Sequence, residues 1–333
     1  MNRLRIAVVG LGKMGLLHTS LLNVFPEVEL VAVCEKSKLM NRLFRKLFSK
    51  SSVSVVDTVD KLRDLELDAV YVTTPISSHS YIIKEIYAKN IAHNVFVEKT
   101  LALDYTQSKE LCEITKNVAS IAMVGYMKRF SVTFGKAKNI LEQGILGDIS
   151  SFDAFAFSSD FSKVQPGSKT SATRGGVLSD LGSHVIDLAL WFFGDFEVET
   201  ASVKSILTEL SEDSVDFTVH KLGLVGVFHT SWVMDGYRMP NFGLTIKGSN
   251  GVMKVNDYSI DLKLNKGDSH MWFKHDLNDY VNFFLGDSEY YREDEAFVKS
   301  LLSGCGVEPS FMTASKVDYV IEQVKKKAKI NGN

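Results

Sequence analysis

The first 125 residues alternate short apolar runs with segments of helical period. Leu4–Val9, Leu30–Cys34, Ala69–Thr73, Val95–Glu98 and Ile121–Val124 are brief and rich in β-branched side chains. That is the composition of strands buried on both faces of a parallel sheet. Helical stretches begin near Gly15, Ser78 and Asp104, and Asp104 with Gln107 has the spacing of a capping box. Strands that alternate with helices predict βαβ units, hence an α/β domain.

Beyond residue 126 the pattern changes. A helix over Val132–Gln143 ends at Gly144, and longer strand-like segments follow at Ile149–Phe157, Val198–Leu207, Ser214–His220, Gly223–Trp232, Gly243–Lys247 and Val252–Val255. Hairpin-like glycines such as Gly248 and Gly251 separate several of them. One apolar helix, Ser179–Phe193, interrupts the series, and helices near Glu293–Leu302 and Thr313–Lys327 close it. The expectation is a second, α+β domain over residues 126–333 with a broad, largely antiparallel open sheet, following a first domain over residues 1–125.

Composition narrows the function classes. Of 333 residues 45% are apolar and 23% charged, and 38 basic side chains meet 40 acidic ones. This is an ordinary globular balance. Arg42, Arg45, Lys46 and Lys50 cluster at helical spacing and read as a solvated face, so a nucleic-acid partner has no electrostatic support. Cys34, Cys112 and Cys305 are odd in number and far apart, which suits neither a disulfide framework nor a metal site. No apolar run approaches the ~20 residues of a membrane helix, and Met1 leads into a strand without a signal-peptide pattern. A cytoplasmic protein is expected.

Gly10-Leu11-Gly12-Lys13-Met14-Gly15 follows the first strand and opens a helix. In that context the first glycine permits a tight turn, the second lets backbone approach a pyrophosphate, and the third lets helix and strand pack closely. This predicts a Rossmann dinucleotide-binding domain. Glu35 ends the second strand, where an acid binds ribose hydroxyls and selects NAD; Lys36 and Ser37 beside it leave NADP as the alternative. Thr73-Thr74-Pro75, at the carboxyl end of the third strand, should face the cofactor. His79 either faces it too or is structural at a helix start.

Glu98-Lys99-Thr100 ends the fourth major strand at the same edge, where a lysine is placed to stabilise charge on a substrate oxygen; on position alone, a plain surface lysine is the favoured reading. In the second half, Gly175-Gly176 leads to Asp180, His184 and Asp187. If the chain is helical from Ser179, these three share one face, beside an apolar stripe of Leu181, Val185, Leu188 and Phe192. Ionisable groups on a buried helix must be paired or used; the plain alternative makes Asp180 an N-cap and His184–Asp187 a core pair. A zinc site is not expected, because the stripe has one histidine and no partners at ligand spacing.

Taken together, the glycine fingerprint, Thr74-Pro75 with His79, Glu98-Lys99, Gly125 with Arg129-Phe130, and Gly175-Gly176 followed by Asp180, His184 and Asp187 resemble the Gfo/Idh/MocA oxidoreductase family. The resemblance runs in order through the first 190 residues, and the later strands resemble the family's second domain. It implies an NAD(P)-dependent dehydrogenase acting on a secondary alcohol of a sugar, sugar derivative, nucleotide-sugar or cyclitol. His184 would take the hydroxyl proton as hydride passes to the nicotinamide, Asp180 would orient substrate, Lys99 would bind the reacting oxygen, and Arg129 would contact substrate. It also implies a substrate-binding and oligomerisation role for the second domain, with a homodimer or homotetramer. Tightly bound, internally recycled cofactor and non-catalytic dinucleotide sensing are the alternatives. Two departures stand out: Thr100 replaces the family's usual proline after Glu-Lys, and Tyr126-Met127 occupies a position where many members carry a small polar residue. Residues 160–173, polar in most positions, read as a lid, and Tyr290 and Tyr291 as either substrate-mouth or packing residues.

Overall fold

The computed structural model describes residues 3–49, 51–161, 174–208, 211–281 and 288–331. The chain divides into two compact units, Met1–Tyr126 with Phe283–Ser315, and Met127–Asn282 with Lys316–Asn333.

The first unit is built on β1 (Leu4–Val9), β2 (Val28–Cys34), β3 (Ser54–Val56), β4 (Leu67–Val72), β5 (Ala92–Glu98) and β6 (Ala122–Gly125). They form one sheet in the order β3-β2-β1-β4-β5-β6, and every pair is parallel. The strand order reverses between β2-β1 and β4, so ligands are expected beyond the carboxyl ends of β1 and β4. Helices α1 (Lys13–Leu22), α2 (Lys38–Leu47), α3 (His79–Ala88) and α4 (Tyr105–Asn117) make the crossovers. Asp104 caps α4 by accepting from the Gln107 N–H at 2.9 Å, and the Gln107 amide returns a 2.7 Å bond to the Asp104 side chain.

The sequence puts everything after residue 125 in a second domain, yet Phe283–Ser315 belongs with the first unit. Its helix packs there because it carries aromatic side chains that the parallel sheet can bury. Tyr291 stacks on Phe25 at 4.9 Å and Phe297 meets Tyr71 and Phe96 at 5.5 and 5.8 Å. Tyr290 lies 6.3 Å from the His18 ring. Tyr290 and Tyr291 are therefore packing residues of this unit.

In the second unit α5 (Val132–Glu142) precedes β7 (Ile149–Phe157), and α6 (Ser183–Phe193) precedes β8 (Glu197–Lys204). Next come β9 (Ser214–Lys221), β10 (Leu224–Ser231), β11 (Asn241–Gly248), β12 (Gly251–Asn256), β13 (Ser259–Leu264) and β14 (Ser269–Phe273). Helix α7 (Ser288–Ser303) belongs to the first unit, and α8 (Phe311–Asn331) spans the division at Ser315. The sheet has eight strands in the order β14-β13-β12-β11-β7-β10-β9-β8. It is antiparallel except for the β7–β10 pair. Alternation along β7 buries Phe152, Ala154 and Ala156, and Phe152 stacks on Phe193 of α6 at 4.5 Å. Phe228 of β10 extends that core, edge-on to Phe152 and stacked on Phe217 at 4.3 Å. The core of this unit is thus the seam between α6 and one face of the sheet. Of the segment expected as a lid, residues 162–173 lie outside the described residues. No helix among the described residues is long and apolar enough to cross a membrane.

Candidate active site

The glycine loop joins β1 to α1 in the geometry the sequence requires. Gly10 has φ +93°, and a Cβ on it would lie 2.6 Å from the Thr74 methyl. A Cβ on Gly15 would fall 1.9 Å from the Gly10 carbonyl oxygen and 2.8 Å from Thr73 Oγ1. Thr73 in turn donates its hydroxyl to that same carbonyl at 2.6 Å, tying the loop after β4 to the loop after β1. Gly12 is the N-cap of α1, makes no side-chain cap bond, and has nothing within 4 Å of where its Cβ would be. Open space over uncapped N–H groups, at the positive end of a helix, is what a pyrophosphate needs. Lys13 and Met14 form the first turn behind it.

Glu35 follows β2 and is held from both sides. One carboxylate oxygen accepts from the Leu11 N–H at 3.0 Å and the other from the Ser37 N–H at 2.7 Å. The Ser37 hydroxyl is already used, capping α2 through the Met40 N–H at 3.4 Å, while Lys36 is exposed. The carboxylate is therefore fixed beside the glycine loop, and the serine that was the alternative phosphate ligand serves the helix.

Beyond β4, Thr74 is half-buried and Pro75 exposed. His79 is 1% exposed, with Nε2 2.8 Å from the Thr74 carbonyl and Nδ1 2.9 Å from the Thr100 carbonyl. Burial lowers its pKa, against the pull of these two carbonyls. The ring thus ties the turn after β4 to the turn after β5, which is the structural reading of the two the sequence allowed. This tie bears on Thr100, whose carbonyl is anchored although the residue lacks a proline ring; the Lys99–Thr100 peptide is cis. Lys99 is half-buried, and its N–H donates to the Glu98 carboxylate at 3.2 Å.

The second unit carries the remaining residues that the sequence singled out. Gly175 and Gly176 have φ +80° and +90°, and a Cβ on Gly176 would overlap the Glu212 carboxylate. From there the chain enters a turn of π-helix over Leu178–Gly182 before α6 begins at Ser183. The sequence expected a plain α-helix from Ser179. The wider turn breaks the simple i, i+4 relation between Asp180 and His184, and such turns gather at functional sites. Asp180 is not the N-cap, which is Gly182. Its carboxylate sits 3.4 Å from Arg174, which also donates to Asp160 at 2.8 Å. Helix α6 is buried at every position from Ser183 to Leu190. His184 is 5% exposed, with its ring edge-on to Phe242 at 5.1 Å.

Asp187 and Arg129 form a bidentate pair at 2.6 and 2.8 Å, with side chains 1% and 6% exposed. The guanidinium also lies 5.8 Å from the Trp191 ring. Arg129, expected at the substrate, thus clamps the turn before α5 to α6, one helical turn beyond His184. Sequence reasoning named both residues and missed their pairing; the signal was one acid on an otherwise apolar helix. Next to Arg129, Lys128 pairs with Asp257 at 2.6 Å under the Phe242 ring, and nothing in the sequence pattern suggested that contact.

Two family descriptions match this chain: "Oxidoreductase family, NAD-binding Rossmann fold" over residues 4–126 and "GFO/IDH/MocA C-terminal domain" over residues 134–254. The chain belongs to the Gfo/Idh/MocA oxidoreductase family. It is 27% identical over 320 residues to a myo-inositol 2-dehydrogenase of Thermotoga maritima, covering 90% of this chain and 89% of the relative. It is 30% identical over 195 residues to a scyllo-inositol 2-dehydrogenase (NAD(+)) of Bacillus subtilis, covering 58% and 55%. A levoglucosan dehydrogenase solved with NADH and levoglucosan shares the fold, with a TM-score of 0.86, 20% identity, and coverage of 99% of this chain and 98% of that one. The chain is therefore an NAD-binding oxidoreductase with a Rossmann domain and a largely antiparallel second sheet.

Within this family member the Arg129–Asp187 clamp makes a direct prediction. Removing Asp187 takes a bidentate partner from a buried guanidinium, so Asp187→Ala should lower stability by about 3–5 kcal/mol. Urea unfolding measures this, and an unchanged midpoint would show that the clamp contributes nothing.

Proposed function

We propose that the chain is an NAD-dependent dehydrogenase that oxidises a secondary alcohol of a cyclitol, sugar, sugar derivative or nucleotide-sugar. The observation that carries the reading is His184. It is the imidazole on a largely apolar buried helix, and that helix is held by the buried Arg129–Asp187 ion pair one turn away. An imidazole so placed suits proton transfer near neutral pH. The names of the two inositol dehydrogenases favour a cyclitol.

In this reading His184 takes the proton from the substrate hydroxyl. Lys99 holds the reacting oxygen and stabilises the negative charge that grows on it. Asp180 orients the substrate. The Gly10–Gly15 loop holds the pyrophosphate, with Lys13 and Met14 behind it, and Thr73, Thr74 and Pro75 border the cofactor. Glu35 takes the ribose hydroxyls, with Lys36 beside it. Bound NAD supplies the hydride acceptor.

The test is a fluorescence titration with NADH and NADPH, followed by turnover of inositols and sugars. NADH should bind far more tightly. A carboxylate set against a 2′-phosphate costs on the order of several kcal/mol, so Glu35→Gln should narrow the preference by about tenfold or more. A wild-type preference for NADPH would overturn the role given to Glu35, and absence of turnover with every polyol would overturn the substrate class.

A cytoplasmic homo-oligomer completes the proposal. The free cysteines support the location, with Cys34 and Cys112 buried as thiols. Phe155 and Phe157 stack at 5.2 Å on the partly exposed positions of β7, and Val225 on β10 is 49% exposed. That apolar surface suits a partner copy. A monomeric mass in light scattering would remove this part of the proposal.

A further inference from the structure

Histidine 18 lies on α1, three residues past Gly15, and is completely buried. Nothing in the proposed chemistry uses it. Its Nδ1 is 2.8 and 3.0 Å from the two carboxylate oxygens of Asp294 on α7, and its Nε2 is 3.0 Å from Oε1 of Glu98 at the end of β5. Tyr71, Phe96 and Tyr290 surround the ring at 5.6, 5.0 and 6.3 Å. An ionised carboxylate only accepts hydrogen bonds, so an imidazole placed between two of them satisfies both by donating from both nitrogens. Burial by itself lowers the His18 pKa, but Asp294 and Glu98 outweigh it and raise it well above its ordinary value. Carboxylates at hydrogen-bond distance from both ring nitrogens favour the protonated ring.

Glu98 passes this constraint onward. While Oε1 faces His18, Oε2 accepts from the Lys99 N–H at 3.2 Å. Gly125 on β6 makes room for that oxygen, since a Cβ there would be 3.3 Å from it. Asp294, His18, Glu98 and the Lys99 backbone thus form one continuous hydrogen-bonded chain inside the first unit. Glu293, beside it, is fully buried, and neither of its carboxyl oxygens has a hydrogen-bond partner among the described residues. Burial, with Glu98 next in effect, raises its pKa well above its ordinary value, which favours the neutral acid over a third anion. Asp294 is also raised by burial and is drawn back toward ionisation by His18. No group of three or more His, Cys, Asp and Glu among the described residues is arranged to hold a metal ion.

We propose that His18, seated on Asp294, is a positioning residue for Lys99: it holds the Glu98 carboxylate and through it the backbone that carries the lysine. The proposal rests on Lys99 acting on the reacting oxygen, as argued above. A misplacement of about 1 Å at a reacting group can lower rate on the order of a hundredfold, so a buried brace two bonds behind Lys99 has a measurable job. The groups that face His18 are Glu98 from β5, Tyr71 from β4, and Asp294 and Glu293 from α7, with Glu289 and Arg292 on the same helix.

The experiment uses the full chain, with His18→Gln and Asp294→Asn. The proposal expects His18→Gln to lower kcat by about tenfold or more while the NADH Kd moves by less than about threefold, a split that places the loss at Lys99 and not at the glycine loop. Asp294→Asn keeps the shape and removes the charge that opposes burial. With burial then dominant, the His18 pKa falls, and the ring loses its proton as pH rises through the assay range. Its kcat should therefore match wild type in acid and fall on the alkaline side, where wild type does not. A residue that merely fills space would leave the pH profile unmoved. Should His18→Gln fail to fold, nitrogen NMR of wild-type His18 at pH 8 decides: two protonated ring nitrogens are expected, and a neutral ring overturns the proposal. Folded variants with wild-type kcat and pH profile overturn it as well. A wild-type chain that binds NADH and turns over no polyol removes the reading beneath it, and that outcome is distinct because it precedes any variant.

Discussion

Replacing Gly15 with alanine is expected to remove NADH binding and to destabilise the first unit, whereas Gly12→Ala should weaken binding alone. The two glycines are three residues apart in one loop, and the difference between them is steric. At Gly15 the new methyl would sit 1.9 Å from the Gly10 carbonyl oxygen and 2.9 Å from its carbon. Both are backbone atoms of the turn that ends β1, so no side chain can rotate out of the way. Either α1 lifts off the sheet or the turn opens, and overpacking of that kind costs about 3 kcal/mol, the upper end of its usual range. The lifted helix takes its N–H groups with it, and His18, on the same helix, leaves its carboxylate partners. At Gly12 the methyl meets no protein atom within 4 Å, so the fold has no reason to change. What the methyl fills is the space above the helix N-terminus. A phosphate pushed away from those N–H groups should bind about ten- to a hundredfold more weakly, the equivalent of about 1.4–2.8 kcal/mol. Thermal unfolding without cofactor and NADH fluorescence with it separate the two effects. Equal melting temperatures for Gly15→Ala and wild type would refute the steric argument, and unchanged NADH affinity in Gly12→Ala would move the pyrophosphate elsewhere.

The parts of this molecule that the sequence discloses are those whose causes are local. Strands β1, β2, β4, β5 and β6 are buried on both faces and stand out as apolar runs, and the glycine loop is a contiguous motif. Strand β3 is three residues long at the sheet edge, half-exposed, and too short for any period to register. Strand β14 has four of five residues exposed, so its sequence lacks the alternation that marks a half-buried strand. In β13 the alternation is present, with Ile260 and Leu262 buried and Asp261 and Lys263 turned outward, but it spans too few residues to separate it from a loop. The candidate site divides the same way. His184, Lys99 and the glycines were visible as types in a pattern. The contacts that restrain them were not: Arg129 and Asp187 are 58 positions apart, and His18 and Asp294 are 276 apart. A pairing of that range has no periodicity and no spacing. What could have flagged it is an ionisable residue on an apolar helical face, which holds for His18 on α1 and Asp187 on α6 alike. Such a residue needs a partner, and the remaining task is to find which one the fold brings to it.

Substituting His184 with asparagine should reduce kcat by about two to four orders of magnitude while leaving NADH affinity close to wild type. The size follows from what the imidazole does in the proposed reaction. Hydride cannot leave a carbon whose oxygen keeps its proton without building positive charge there, so the base and the hydride transfer act in one step. Asparagine can hydrogen-bond the hydroxyl and cannot accept its proton at any working pH. Structure gives no reason for the variant to unfold. The residue is in the first turn of α6, and what fixes that helix is the Arg129–Asp187 pair and the burial of Ile186, Leu188 and Phe192. The ring packs edge-on to Phe242, and asparagine forfeits that contact. The pH profile adds a second readout. A histidine base must be unprotonated to work, so wild-type kcat/KM should fall on the acid side, and the variant's residual rate should lack that limb. Retention of kcat within about threefold would place the base elsewhere. Loss of NADH binding together with turnover would mean instead that His184 supports the fold of the chain as a whole, and the stability of the variant, measured on the same sample, tells those two outcomes apart. Asp187→Ala supplies the comparison. It removes the clamp and keeps the imidazole itself, so the part of its activity loss that tracks the unfolded fraction should return on cooling, whereas the loss in His184→Asn persists at every temperature at which the chain is folded.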